Sequence, residues 1–344
     1  MKAQILKRIQ TLEENPNPLE LVSLPVPKPK SSEVLVKVLA CGVCHTELDE
    51  IEGRTPPTKL PIILGHQIVG KVVECGSKAT KFKIGDRVGI AWINSACGKC
   101  SFCRSGYENL CPEFRATGRD VDGGYAEYTL IDENFAYPIP KNFTDLEACP
   151  LLCAGVIGFR ALRLTGLKNG DTLGLFGFGA SAHIVIQIVK YQYPNSKVFV
   201  FTRTGQIEHQ TLAKELGADW VGSTGDLPPE KIKCAIDFTP AWRPIVEALR
   251  VLERGGRVVI NAIRKEAKDK GALQDLDYAD CIWLEKEIKS VANVTRGDAQ
   301  EFLPLAAQIP IKPKVIEFKL EEANQALNLL KAGKIKGAAV LKIG

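Results

Sequence analysis

The segment TLGLFGFGASAHIVIQIVKY, residues 172–191, decides the fold. An apolar run over 172–176 predicts a strand, and the run over 180–191 predicts a helix that follows a glycine-containing turn. The alternation continues with strands predicted over 198–201, 235–238 and 257–260 and helices predicted over 208–216 and 245–252. This βαβ order predicts a parallel sheet with helices packed on its faces.

The turn after the first of these strands has the Gly-x-Gly-x-x-Ala form of a dinucleotide-binding fingerprint. Gly177 permits a tight turn, Gly179 lets the backbone approach a pyrophosphate, and Ala182 is small enough for close helix packing. The first amides of the helix would then receive the phosphates. A glycine turn that merely joins a strand to a helix is the alternative. The predicted cofactor-binding residues in this turn are Gly177, Phe178, Gly179, Ala180, Ser181 and Ala182.

The residues after the second strand bear on which nicotinamide cofactor is used. An NAD site places Asp or Glu there to accept the ribose 2′-hydroxyl, whereas this chain has Thr202, Arg203 and Thr204. A guanidinium between two hydroxyls can pair with a 2′-phosphate, and no acid stands there to repel it. NADP is therefore favoured. NAD is the alternative, with Arg203 solvated and the acid displaced to the nearby Glu208.

A cysteine cluster indicates a structural metal site. Four thiols lie within fifteen residues, three of them spaced by two residues, and such a loop can surround a tetrahedral zinc ion. Two disulfides are the alternative, but the N-terminus does not resemble a secretory signal, and disulfides are rare in a reducing compartment. A nucleic-acid zinc ribbon would separate two Cys-x-x-Cys pairs by about 15–20 residues. The predicted ligands are Cys97, Cys100, Cys103 and Cys111.

Three separated residues predict a second metal site of a different kind. Cys44, His66 and Cys153 supply two thiolates and one imidazole. Three protein ligands leave a fourth position for water or a substrate oxygen, which is how catalytic zinc sites are built. Gln67 follows the histidine directly and lies adjacent to this predicted site.

Length and composition set the number of domains and exclude some partners. A chain of 344 residues is too long for one ordinary core, so two domains are expected. The net charge of +5 comes without a basic run, which argues against a nucleic-acid partner. No apolar run of about 20 residues predicts a membrane span. Together with the absence of a signal-like start, this predicts a cytoplasmic protein.

The strand pattern divides the chain. Short β-branched runs such as 34–38 and 68–73 mark the first part as β-rich, and the chain returns to short elements after residue 292, ending in a strand predicted over 338–342. We therefore expect one domain from 1–154 and 293–344 and a second from 155–292.

These motifs, in this order, resemble the zinc-dependent medium-chain alcohol dehydrogenases over nearly the whole chain. The resemblance is carried by the Gly-Val-Cys-His-Thr run ending at Thr46, Gly65-His66, the motifs over 85–88 and 123–128, the cysteine loop, the Cys153 segment and the dinucleotide turn. The segments 151–155 and 290–296 look most like the bacterial and archaeal branch. The resemblance implies an α/β protein with a GroES-like β-rich catalytic domain and a doubly wound Rossmann domain.

The resemblance also implies site roles. Cys44, His66 and Cys153 would bind catalytic zinc, and the four-cysteine loop structural zinc, giving two ions per subunit. Thr46 would accept the alcohol proton as hydride passes to nicotinamide. The other implied residues are His45 near the cofactor pyrophosphate, Glu47 behind His66, Asp49 on the proton path and Trp92 narrowing the substrate pocket.

Four positions depart from the family pattern. Gln67 replaces a glutamate beside the zinc-binding histidine, and Asp49 replaces a histidine that ends the proton relay. Ala338 stands where several relatives have an arginine for the pyrophosphate, and Ile157 where several have a threonine near nicotinamide. None of these changes removes a metal ligand.

The expected function is a zinc-dependent alcohol dehydrogenase or aldehyde reductase acting on a small primary alcohol or aldehyde. Two alternatives stay open. One is a dehydrogenase of the same fold acting on a polyol or another secondary alcohol, and the other is a catalytically impaired protein that binds zinc and nucleotide. By analogy with relatives, a homodimer or homotetramer is expected.

Overall fold

The computed structural model describes residues 1–309 and 311–344. The chain forms two compact units. The first, here called the β-rich unit, comprises Met1–Cys153, Val294–Ala307 and Lys312–Gly344. The second, here called the parallel-sheet unit, comprises Ala154–Asn293 and Gln308–Ile311.

The strands are short in the first part of the chain and alternate with helices later. In chain order they are β1 Lys2–Leu6, β2 Leu19–Ser23, β3 Glu33–Val43, β4 Ile62–Ile63, β5 Gln67–Cys75, β6 Arg87–Ile90, β7 Ile93–Ser95, β8 Arg115–Ala116, β9 Tyr128–Asp132, β10 Ala136–Pro138, β11 Leu173–Phe176, β12 Val198–Thr202, β13 Trp220–Ser223, β14 Ile232–Asp237, β15 Leu252–Ile260, β16 Glu287–Ser290, β17 Val315–Lys319 and β18 Ala338–Lys342.

The α-helices are mostly of two or three turns. They are α1 His45–Ile51, α2 Ser101–Arg104, α3 Asp145–Pro150, α4 Val156–Thr165, α5 Ala182–Gln192, α6 Ile207–Glu215, α7 Arg243–Val251, α8 Tyr278–Cys281, α9 Arg296–Gln308 and α10 Ala323–Lys331. A π-helical turn, Leu151–Gly155, joins α3 to α4, and short 3₁₀ turns occupy Glu108–Leu110, Glu133–Phe135, Lys270–Asp275 and Leu320–Glu322.

The β-rich unit is built around a seven-stranded sheet of order β10-β6-β5-β3-β18-β17, with β9 also pairing with β3. The long central strand β3 is mostly buried, with Lys37 its exposed residue and Val34, Val36 and Val38 fully buried on one face. This pattern fits a sheet with one face on a core. The C-terminal strand β18 pairs antiparallel with β3, which places the end of the chain in this unit.

The parallel-sheet unit contains six parallel strands in the order β13-β12-β11-β14-β15-β16. This is the doubly wound arrangement, so the predicted α/β class is confirmed. All four residues of β11 are buried, as a central parallel strand requires. The rings of Phe176 and Phe201 stack 4.2 Å apart between β11 and β12. The dinucleotide turn follows β11 at the carboxyl edge of the sheet.

Some sequence expectations differ from the structure. The helix after the turn begins at Ala182 rather than at residue 180. Two strands, β13 and β16, were not expected, because β13 is only partly buried and all four residues of β16 are exposed. One helical run of the described residues, Asp145–Thr165, is long and apolar enough to cross a membrane by length and composition alone. Its apolar window is 72% buried, as in a core helix.

Two glycines with nearly the same backbone torsion provide a test of packing beside His66. Gly65 has φ +96° and Gly85 has φ +95°. A Cβ at Gly65 would lie 2.4 Å from Tyr125 Cδ1, whereas a Cβ at Gly85 meets no atom within 4 Å. Gly65→Ala should therefore cost about 3 kcal/mol, from backbone strain and overpacking together, and Gly85→Ala only about 1 kcal/mol from strain. Melting temperatures of the metal-loaded proteins measure the difference, and equal losses would refute the packing argument.

Candidate active site

The start of α1 places Cys44 and holds it. Cys44 is the N-cap of α1, and its backbone N–H donates to Glu47 Oε2 at 2.8 Å. The Thr46 N–H in turn donates to Cys44 Sγ at 3.4 Å. This capping box fixes the direction of the thiol, because the Cys44 amide is bound to Glu47 and the thiol itself accepts from the Thr46 amide.

The same Glu47 carboxylate orients His66. Its Oε1 lies 2.6 Å from His66 Nδ1, and both side chains are almost completely buried. A carboxylate accepts only, so the neutral ring carries its proton on Nδ1 and offers the Nε2 lone pair to a metal. His66 stands just before β5, between Gly65 and Gln67.

Cys153 completes the group from the π-helical turn between α3 and α4. Such turns widen a helix locally and often occur at functional sites. The ligand atoms of Cys44, His66 and Cys153 all lie within 4.8 Å of one another. Cys44 Sγ and His66 Nε2 are 3.9 Å apart. The structure thus brings together the three side chains predicted for the second metal site.

The electrostatics of this trio favour a cation. The hydrogen bond with Cys153, and then burial, raise the pKa of Cys44 well above its usual value. Burial alone would lower the pKa of His66, but Glu47 and Cys44 raise it well above its usual value. The Cys44 thiol therefore keeps its proton unless a positive ion replaces it. Two soft sulfur donors and an imidazole suit zinc.

The four-cysteine loop also converges. The sulfurs of Cys97, Cys100, Cys103 and Cys111 lie within 4.8 Å of one another. The sulfurs of Cys97 and Cys103 are 3.9 Å apart, which excludes a disulfide between them, and the cysteines of the described residues are free thiols.

Backbone amides point at three of these sulfurs. Cys100 N donates to Cys97 Sγ at 3.4 Å, Cys103 N to Cys100 Sγ at 3.5 Å and Cys97 N to Cys111 Sγ at 3.5 Å. Hydrogen bonds from the backbone of Lys99 and then Cys100 lower the pKa of Cys97 to about 6. The loop is therefore arranged to receive thiolates, which matches a closed metal site.

The carboxylate of Asp49 is bound to Arg54. It is buried and its Oδ1 accepts from Arg54 Nε at 2.5 Å. Its backbone carbonyl also accepts from the amides of Arg54 and Thr55. The observed contacts of Asp49 therefore secure the end of α1. By contrast, Thr46 is half-buried and His45 is exposed.

A buried acid that sequence reasoning missed lies on the same helix. Glu50 has 0% exposure, and neither carboxylate oxygen has a hydrogen-bond partner. Burial, and then the neighbouring Glu47 charge, raise its pKa well above the usual range. Glu47 and Glu50 are three residues apart, so they share one face of α1. That spacing was the sequence signal for a paired-acid face.

Trp92 and Gln67 are buried in the same unit. The Trp92 ring packs against Phe114 at 5.4 Å and under the Arg119 guanidinium at 5.0 Å. Gln67 packs closely against Gly42. A Cβ atom added at Gly42 would lie 2.7 Å from Gln67 Oε1. Trp92 Nε1 and Gln67 Nε2 have no hydrogen-bond partner.

In the parallel-sheet unit, the dinucleotide turn has the shape that its sequence predicts. Gly177 has φ +85°, and a Cβ there would lie 2.8 Å from Thr239 Cγ2. A Cβ at Gly179 would meet no atom within 4 Å, so the space above this residue is open to a ligand. Ala182 is fully buried, and Ser181 Oγ donates to the Ala154 carbonyl at 2.7 Å.

The predicted 2′-site residues separate into two groups. Arg203 and Thr204 are exposed. Thr202 is buried, and its hydroxyl accepts from Gln210 Nε2 at 2.9 Å, so it serves packing rather than a ligand. His209 contacts the dinucleotide turn through Nδ1, which lies 2.6 Å from the Phe178 carbonyl oxygen.

Comparison with known proteins agrees with this site. Residues 30–141 match the family model "Alcohol dehydrogenase GroES-like domain". The chain is 44% identical over 331 residues to "Probable alcohol dehydrogenase AdhA" of Mycobacterium tuberculosis (strain CDC 1551 / Oshkosh), covering 95% of this chain and 93% of the relative. The chain belongs to the zinc-dependent medium-chain alcohol dehydrogenase family. The predicted resemblance and the predicted GroES-like and Rossmann fold are therefore confirmed.

Other members of the alcohol dehydrogenase family match equally broadly. An alcohol dehydrogenase of Geobacillus stearothermophilus is 36% identical, over 94% of this chain and 96% of that protein. The crystal structure of the alcohol dehydrogenase of Aeropyrum pernix superposes with a TM-score of 0.85 at 26% identity, covering 99% of this chain and 100% of the other. The protein is thus an NAD(P)-dependent alcohol dehydrogenase that uses zinc and acts on a small-molecule alcohol or aldehyde.

Removing the Glu47 charge should weaken metal binding. In Glu47→Gln, the amide cannot accept equally well from Cys44 N and His66 Nδ1, so both ligands lose their orientation. We expect zinc affinity to fall about 10–100-fold in chelator competition. Asp49→Asn is the matched control, because its carboxylate pairs with Arg54, and it should bind zinc as the wild type does while melting at a lower temperature. Equal zinc affinities for Glu47→Gln and wild type would contradict the orienting role.

Proposed function

We propose that this alcohol dehydrogenase interconverts small primary alcohols and aldehydes, with two zinc ions per chain and a preference for NADP. The convergence of Cys44, His66 and Cys153 within 4.8 Å carries the proposal, since these donors leave a position open for substrate. The catalytic chemistry is assigned to the β-rich unit and dinucleotide binding to the parallel-sheet unit, as the predicted domains 1–154 with 293–344 and 155–292 require.

Cys44, His66 and Cys153 would hold the catalytic zinc. When bound, zinc supplies Lewis acidity that makes an alcohol oxygen more acidic or a carbonyl more electrophilic. Glu47 keeps His66 Nε2 available for the metal by occupying Nδ1. The four cysteines of the loop would hold a structural ion, whose role is to stabilise the fold.

Thr46 is the proposed proton acceptor from the alcohol. It lies two residues after the ligand Cys44, and it is half-buried, so its hydroxyl can exchange protons with solvent. Asp49 is less suited to the relay than the sequence predicted, because Arg54 occupies its carboxylate. We therefore propose that the proton leaves through water. His45, which is exposed, is the proposed basic residue near the cofactor pyrophosphate.

Trp92 is the proposed wall of the substrate pocket. Its ring is fixed on two sides by Phe114 and Arg119, so it does not swing aside for a bulky group. This favours primary over secondary alcohols. A polyol or other secondary alcohol is the second candidate substrate. If the enzyme acts on such alcohols, Trp92→Ala should change the activity on secondary alcohols little.

A catalytically impaired protein is the third candidate, on account of Gln67, Asp49, Ile157 and Ala338. The geometry favours the active enzyme, because these departures leave the three donors and Glu47 in contact. Gln67 is packed against Gly42 and supports the strand pair of β3 and β5.

A homodimer or homotetramer is proposed for the assembly. Strand β16 is the last strand of its sheet, and all four of its residues are exposed. Tyr278, Trp283 and Ile288 near this edge are 63%, 55% and 45% exposed. An unpaired edge with exposed aromatic residues suits pairing with a second copy. We also propose a reducing compartment such as the cytoplasm, where the free thiols stay unoxidised.

The two metal sites should respond differently to loss of a ligand. Cys44→Ser should reduce aldehyde-dependent NADPH oxidation to background, with a small change in melting temperature, because the catalytic trio lies in an otherwise packed unit. Cys103→Ser should lower the melting temperature strongly, because a closed zinc site contributes directly to folding. Turnover, zinc content and calorimetry on both variants measure this. Retained turnover in Cys44→Ser, or an unchanged melting curve in Cys103→Ser, would overturn the respective assignment.

Cofactor choice should depend on Arg203. Oxidation of NADPH and NADH measured side by side should favour NADPH in the wild type. Arg203→Gln should raise the KM for NADPH about tenfold or more, because a charge-assisted hydrogen bond of about 2 kcal/mol is lost, and should leave the KM for NADH nearly unchanged. Lys214→Gln, a charge removed from the far end of α6, serves as the control. A wild type that prefers NADH would refute the assignment of NADP.

A further inference from the structure

A buried ion pair holds the carboxyl end of β14. Asp237 is the last residue of that strand and has 0% exposure, and the ammonium group of Lys265, in the loop after β15, is hydrogen-bonded to its carboxylate. The Lys265 side chain is only 8% exposed. Burial raises the pKa of Asp237, and the charge of Lys265 opposes that rise. Each charge therefore depends on the other, because a buried lysine or aspartate without a partner is costly.

The same ammonium group fixes the turn that follows β14. It also donates to the carbonyl oxygens of Thr239 and Ala241, at 2.8 and 2.9 Å. An ammonium group has three protons, so these contacts and the carboxylate use all of them. The Asp237 carboxylate in turn accepts from the Thr239 amide at 3.0 Å and from the Thr239 hydroxyl at 2.8 Å. Thr239 is therefore held by Lys265 both directly and through Asp237.

Thr239 is the residue that packs on the dinucleotide turn. Its Cγ2 methyl lies 2.8 Å from the position that a Cβ at Gly177 would occupy. Gly177 has φ +85°, and just before it the Phe176 carbonyl accepts from the Phe238 amide at 2.9 Å. The methyl group therefore limits the movement of the turn on this side, whereas the space above Gly179 is open to a ligand.

We propose that Lys265 is a positioning residue for cofactor binding, which acts through Asp237 and Thr239 on the fingerprint turn. The inference rests on the proposed dinucleotide site in this turn. Backbone donors that face a pyrophosphate bind it best when they are ordered beforehand, because ordering them on binding reduces affinity. The effect is on the turn, so it is the same for NADPH and NADH, in contrast to the proposed effect of Arg203.

Binding measured without turnover tests this role. The dissociation constants of NADPH and NADH are determined by calorimetry on the zinc-loaded full chain, well below its melting temperature. In Lys265→Met, both constants should rise about tenfold, since the charge-assisted hydrogen bonds that order the turn are lost. The zinc content, and the KM for aldehyde at saturating cofactor, should stay at the wild-type values. Equal dissociation constants for Lys265→Met and wild type would overturn the positioning role.

A similar pair at the opposite edge of the same sheet provides the matched control. Lys190 Nζ donates to Asp219 Oδ2 at 2.6 Å and to the Ser196 carbonyl at 3.4 Å, and the same Asp219 oxygen accepts from the amide of Val198, the first residue of β12. Lys190→Met should lower the melting temperature slightly and keep both dissociation constants within about twofold of wild type. A tenfold weakening in this variant too would indicate a general loss of stability and would contradict the inference.

Two double variants test the path through Asp237 and Thr239. Asp237→Asn removes the other charge of the pair, and Thr239→Ser removes the methyl group beside Gly177 while it keeps the hydroxyl. Residues that act through one another give losses that do not add. Each of these changes, combined with Lys265→Met, should therefore weaken dinucleotide binding by less than the product of the two single effects. Full additivity in either double variant would show that Lys265 does not act along this path.

Gly179→Leu separates a failure of this inference from a failure of the proposed site. A Cβ at Gly179 meets no atom of the described residues within 4 Å, so the larger side chain should occupy the space of the ligand and leave the melting temperature unchanged. If Gly179→Leu binds both dinucleotides as the wild type does, the proposed site is wrong and this inference with it. If Gly179→Leu loses binding and Lys265→Met does not, the site stands and the role of Lys265 is overturned.

Discussion

The carboxylate of Glu47 is the constraint on which the catalytic centre depends. One oxygen accepts from the Cys44 amide and the other contacts His66 Nδ1, so a single buried group fixes a thiol on α1 and an imidazole beside β5. Elements far apart in sequence thereby present their donors to one point. Losing the carboxylate would release both ligands together, because neither has another orienting contact of this strength.

This arrangement concentrates acidic groups in a small volume. Glu47, Glu50 and the two thiols occupy the same region, and the protein supplies few counter-charges there, chiefly through His66 and Arg119. Burial raises the pKa of Glu50, and the hydrogen bond with Cys153 followed by burial raises that of Cys44. A divalent cation neutralises such a cluster better than any rearrangement of side chains. The chemistry of the site and its need for a metal therefore have one electrostatic origin.

Much of this could be predicted from the sequence, because ligand chemistry and glycine geometry leave local signals. The cysteine spacing, the Cys44, His66 and Cys153 set and the turn after β11 all depend on residue type at fixed positions. Strand β16 has no recognisable hydrophobic pattern in the sequence, because all four of its residues are exposed. It is a strand because it pairs with β15. The partners of Asp49 and His209 depend on which elements meet in space, and no residue spacing encodes that.

The two metal clusters use the same sulfur chemistry but reach the ionised state by different means. In the loop, backbone amides stabilise thiolates and hold the pKa of Cys97 near 6, so negative charge exists there near neutral pH before an ion arrives. In the catalytic trio, burial and the neighbouring Cys153 keep the Cys44 proton in place, so metal binding must displace it. The loop is not uniform, however, because burial and the neighbouring Cys100 raise the pKa of Cys103 to about 12, so an ion bound there must displace a proton from that thiol as well. The four-cysteine site offers an ion four protein ligands and no open position, whereas the three-donor site leaves one position for water or substrate.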